Sequence, residues 1–92
     1  MENDKKVRGT TNSGFGFELD KDAMNDMELL EELSALDKGD ATVLPSVMER
    51  LVGAEQKKAL YDHVRNEKGR VPIDKIMQEV KEIFESCKEV KN

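Results

Sequence analysis

The chain has one Cys, one His, one Tyr, three Phe and no Trp in 92 residues. A single Cys cannot close an intramolecular disulfide, so no covalent staple holds the fold. Aromatics at 4% leave Leu, Ile, Val and five Met to build the core, and Met packs adaptably. No run approaches the roughly 18 consecutive apolar residues of a membrane span. No apolar stretch follows a basic N-terminus, so the expectation is no secretory signal and a cytoplasmic location. Basic residues are outnumbered, 15 Lys+Arg against 20 Asp+Glu, and the net charge of −5 argues against a general nucleic-acid binder.

What is present is charge and helical periodicity. Residues 1–14 are rich in Lys, Gly, Thr, Ser and Asn and read as a disordered leader. Phe15, Phe17 and Leu19 alternate with Gly16 and Glu18, which suits an extended segment laid on a helical body. No partner strand is evident for it in the sequence. Residues 15–90 read as a single helical domain with helices at about 22–37, 41–52, 54–66 and 73–88. Asp20 or Asp22 is the expected cap of the first, Gly39 its end, and Gly53 and Gly69 the later breaks. Pro45 and Pro72 suit first turns of helices. In the last helix Ile73, Ile76, Met77, Val80, Ile83, Phe84 and Cys87 follow helical spacing closely. The expected fold is therefore all-α, a small bundle of about four short helices with an extended or disordered N-terminal arm.

No constellation carries chemistry. His63 stands alone and no CxxC accompanies Cys87, so neither a zinc site nor a Cys–His nucleophile pair has a motif around it. An EF-hand loop from Asp20 puts Asn25 where glycine is needed, and one centred on Gly69 places Val64, Lys68 and Lys75 at ligand positions. Gly14-Phe15-Gly16 is not followed by the Lys-Ser/Thr of a phosphate loop. Lys57, Lys58, Arg65, Lys68 and Arg70 form a basic patch balanced by Glu55, Asp62 and Glu67. The expectation is a non-enzyme with no metal and no cofactor.

From Phe15 to Phe84 the chain has a characteristic order of segments. It reads Gly-Phe-Glu-Leu-Asp, Asp-Met-Glu-Leu-Leu-Glu-Glu-Leu, Leu-Asp-Lys-Gly-Asp, Leu-Pro-Ser-Val-Met-Glu-Arg-Leu-Val-Gly, Glu-Gln-Lys-Lys-Ala-Leu-Tyr-Asp-His-Val-Arg, Gly-Arg-Val-Pro and Glu-Ile-Phe. This order resembles the tail assembly chaperone family of long-tailed bacteriophages and prophages, especially those of Gram-positive hosts. The resemblance implies an all-helical protein in the host cytoplasm that is absent from the mature virion. It implies that the chain holds the tape measure protein soluble while subunits of the major tail protein assemble around it. Many members of that family are also made in a longer, frameshifted form.

The residues agree with such a role. A holdase for a long helical client needs a surface that accepts amphipathic helices, and Met is suited to varied targets. An acidic exterior keeps a complex soluble. The expected partner-binding residues are Phe15, Phe17 and Leu19 in the arm, Met24 and Met27 near the first helix, and Met77 and Phe84 on the last. Phe15, Phe17 and Leu19 serve equally in self-association or in completing the monomer core. The alternatives are a small helical DNA-binding regulator using Lys57, Lys58 and Arg65, and a minor structural protein of the virion.

Overall fold

The computed structural model describes residues 6–89, and residues 1–5 and 90–92 lie outside the described residues. A β-hairpin comes first, made of β1 (Lys6–Thr10) and β2 (Gly16–Asp20). Three helices follow: α1 (Met27–Asp37), α2 (Leu44–Val64) and α3 (Ile73–Glu89). The all-α expectation is thus corrected to a mixed fold, with a two-stranded antiparallel sheet where the sequence suggests an extended or disordered arm.

The missing partner strand is β1, whose signal is half erased. Its inward positions are Val7 and Gly9, opposite Leu19 and Phe17. A Cβ at Gly9 would stand 2.8 Å from the Phe17 ring. Phe17 therefore fills the inward space of both strands at that level, and β1 shows only one apolar side chain to a reader of the sequence. The turn closes with Thr11 N–H bonded to Phe15 O at 2.9 Å and Gly14 at a φ of 94°. The buried Thr11 hydroxyl accepts the Phe15 N–H as well.

The first helix starts at Met27 and not near Asp22. Asp26 caps it, its carboxylate accepting from the backbone N–H of Glu28 at 2.9 Å and of Leu29 at 3.3 Å. Asp20 makes no such side-chain bond, and Lys21–Met24 form only a 3-10 turn. At the other end Asp40 N–H reaches back to Ala35 O and Gly39 N–H to Leu36 O, a glycine-terminated helix end. The expected second and third helices are the two arms of α2, broken at Gly53, which lies at φ 88° and ψ 164°. Asn66 then organises the turn into α3, its side chain accepting from Lys68 and Arg70 N–H.

The core is one cluster fed by every element. Val7, Phe15, Phe17 and Leu19 of the hairpin meet Leu29 of α1, Val47, Met48, Leu51 and Leu60 of α2, and Ile76, Val80 and Ile83 of α3. Arg50 ties α2 to the start of α1 through Asp26, Glu28 and Glu32, at 3.4, 3.1 and 3.2 Å.

Candidate functional site

Helix α3 carries more apolar surface than one buried face can use. Ile76, Val80 and Ile83 point into the core, whereas Ile73 and Met77 stay 62% and 38% exposed. Helix α1 shows the same excess, with Leu29 buried and Met27 and Leu30 66% and 60% exposed. Between these helices lies a cleft of about 510 Å³. Leu33 and Leu36 of α1 and Met77, Val80 and Phe84 of α3 give it apolar walls. Asp37, Asp74, Gln78 and Lys81 supply its polar members. A second cavity of about 310 Å³ sits beside the first turn of α3, lined by Leu44, Pro45, Tyr61, Val71, Ile73 and Ile76 among others. Its near-absence of polar groups suits an aliphatic or aromatic anchor side chain.

The expected partner-binding residues divide between these places. Met77 and Phe84 stand together in the cleft wall, and Met27 is exposed on α1. Phe15, Phe17 and Leu19 are 7%, 4% and 3% exposed and belong to the core, the second of the two roles that the sequence leaves open to them. Met24 is half-buried against the same core. Leu30, Leu33, Leu36, Val80 and Ile73 are not among the contacts that the sequence suggests. The signal for them is the width of the apolar stripes: one buried face cannot hold Met27, Leu29, Leu30, Leu33 and Leu36 together.

The hairpin tip meets α2 and α3 through polar groups. The Ser13 hydroxyl donates to Glu79 Oε2 at 2.7 Å and lies 3.1 Å from His63 Nε2, which is also 3.1 Å from the Ser13 carbonyl oxygen. The Phe15 and His63 rings are 5.6 Å apart. Glu79 is buried, and its other oxygen finds no partner among the described residues. Serine, histidine and acid meet here in an order unlike a nucleophilic relay. The acid accepts a hydrogen bond from the hydroxyl directly and does not orient the imidazole. Burial pushes the Cys87 thiol up, which makes it a poor nucleophile. Among the described residues no group of three His, Cys, Asp or Glu could hold a metal ion.

Glu82 secures the same tip. Its carboxylate accepts the backbone N–H of Asn12 at 2.7 Å and the Gln78 amide at 2.7 Å, and these bonds hold its pKa below the ordinary 4.5. A depressed carboxylate stabilises the fold fully above its ordinary value and loses that contribution as pH falls through the lower, folded value. Unfolding of Glu82→Gln, followed by circular dichroism across the acid range, should therefore lack the part of the wild-type acid limb that lies below pH 4.5.

Two members of the basic patch are paired with acids. Lys57 Nζ is 2.6 Å from Glu49, and Arg65 is 2.9 Å from Asp62 while also donating to Gly69 O. Two of the three residues that the DNA-binding alternative would place on phosphate are thus engaged within the chain.

Comparison with protein-family models, with characterised proteins and with solved structures gives no match to this chain. Among the described residues no helix is long and apolar enough to cross a membrane.

Proposed function

We propose that the chain is a non-catalytic tail assembly chaperone. It binds amphipathic helices of a tape measure protein in the cleft between α1 and α3, keeps that client soluble and brings tail tube subunits to it. The observation that carries this reading is the cleft, with Leu33, Leu36, Met77, Val80 and Phe84 in its walls and the exposed Met27, Leu30 and Ile73 on the two helices that form it. An amphipathic helix presents apolar side chains at spacings of three and four, the complement of such a trough. Met at the contact allows repacking around different segments of one long client. The order of sequence segments from Phe15 to Phe84 supports the choice of client.

The hairpin departs from the all-helical form that the resemblance implies. It leaves the cleft open, because its tip sits on the side of α3 that carries Glu79 and Glu82, whereas Met77 and Phe84 face the cleft. Co-expression with the tape measure protein of the same genome tests the reading. The expected result is a soluble tape measure that co-purifies with the chain. Equal aggregation with and without the chain would remove it as a sufficient holdase. Its presence in purified particles would favour the virion-protein alternative.

A further inference from the structure

The α1 border of the cleft carries charge of one sign. Helix α1 holds Glu28, Glu31, Glu32 and Asp37 and no Lys or Arg. Glu28 and Glu32 turn toward α2 and pair with Arg50. Glu31 and Asp37 are exposed, and neither has an ion-pair partner among the described residues. Helical spacing sets both beside the exposed apolar stripe, Glu31 four residues past Met27 and Asp37 seven past Leu30. Asp37 lines the cleft, and so does Asp74 of α3, which is likewise exposed and unpaired among the described residues. The two aspartates stand at one end of it, because Ala41 and Thr42, just past α1, share the small apolar cavity with Ile73 and Ile76 of α3. Asp74 is in the first turn of α3, where the helix dipole favours an acid. Asp37 is in the last turn of α1, where the dipole opposes one and no basic residue offsets it. Lys38 and Lys75, their chain neighbours, do not line the cleft. Lys81 does, two turns along α3 from Asp74.

We propose that the cleft selects amphipathic helices whose apolar stripe is bordered by Lys or Arg on the side that lies against α1. The inference rests on the client reading of the cleft and names the chemistry of that client. Glu31, Asp37 and Asp74 have no internal ion pair to give up, so a cation arriving with the client gains a pair without breaking one. A helix bordered by acids on that side would set like charges together, which opposes docking. Lys81, on the α3 border, accepts an acid, so only the α1 side of the client need be basic. The same reasoning disfavours a second copy of this chain. Its α1 stripe is bordered by acids, and its α3 stripe carries Asp74 and Glu85 beside Lys81. Two clefts set face to face would oppose Glu31, Asp37 and Asp74 to the same three acids.

The test uses the full chain with two labelled synthetic helices that share one Leu and Met stripe. One carries Lys along the borders of the stripe and the other Glu, residues of similar helix propensity. The Lys peptide should bind about fivefold more tightly at low salt, the sum of a few exposed ion pairs, and the gap should close as salt is raised. Asp37→Asn combined with Asp74→Asn should remove most of the gap. Glu49→Gln combined with Glu55→Gln makes the same change in net charge away from the cleft and should leave it. Equal binding of the two peptides, with methyl shifts at Leu33 and Met77, would overturn the charge selection and leave the client reading standing. Binding of neither would overturn both. A gap that persists in the Asp37 and Asp74 variant would overturn the selection by assigning it to net charge. Shifts of the cleft methyls that grow with protein concentration alone would overturn it by making a second copy the occupant.

Discussion

Phe17→Ala should remove a large fraction of the protein's stability. Phe17 is 4% exposed, stands at the centre of the hairpin and lies over Gly9, where it fills space on both strands. Truncating a buried Phe costs about 3–5 kcal/mol, part of it transfer and part the cavity left behind. A domain of this size has about 5–10 kcal/mol in total, so the loss consumes a large fraction of it. Collapse around the hole is restricted, because the neighbour across the ladder is a glycine with no side chain to move in. The loss should appear as a lower urea midpoint by circular dichroism. Met27→Ser, at 66% exposure, should stay within about 0.5 kcal/mol of wild type in the same experiment. Equal effects of the two changes would place Phe17 outside the core.

The second large effect concerns binding. Met77→Lys puts a charge into the apolar wall between α1 and α3, where a client helix would have to desolvate it. A central contact of an interface is worth about 2 kcal/mol or more, which corresponds to about thirtyfold in affinity. Folding should be nearly untouched, since Met77 is already 38% exposed and its stripe neighbours Ile76 and Val80 hold α3 to the core. Anisotropy of a labelled amphipathic peptide from the tape measure protein reads the affinity, and thermal melts read the fold. Phe17→Ala cannot serve this purpose, because its loss of stability would be mixed with any loss of binding.

The helices were legible in the sequence and the sheet was not. The α3 stripe from Ile73 to Cys87 is dense enough to specify a helix unaided, and α3 spans Ile73–Glu89. The glycines at 39, 53 and 69 mark breaks at positive φ, as glycine-bounded segments suggest. The hairpin escaped because strand pairing is a long-range property and β1 carries one inward apolar residue where two would form a pattern. Its other inward place belongs to the Phe17 ring. Asp26 does not stand out as the cap in the sequence because Asp20 and Asp22 precede the same apolar run, and only backbone geometry chooses among three aspartates. For the site, Met77 and Phe84 are legible in the sequence only as apolar members of the α3 stripe. Phe15, Phe17 and Leu19 were equally apolar, and only the existence of β1 decides that they turn inward.

The most direct measurement is a methyl-resolved NMR titration of the labelled chain with a tape measure helix peptide. Shifts concentrated at Leu33, Leu36, Met77 and Val80, with the Leu60 and Val47 methyls of the core unmoved, are expected if the α1–α3 cleft is the client site. Shifts absent from those cleft methyls while the peptide binds would contradict it.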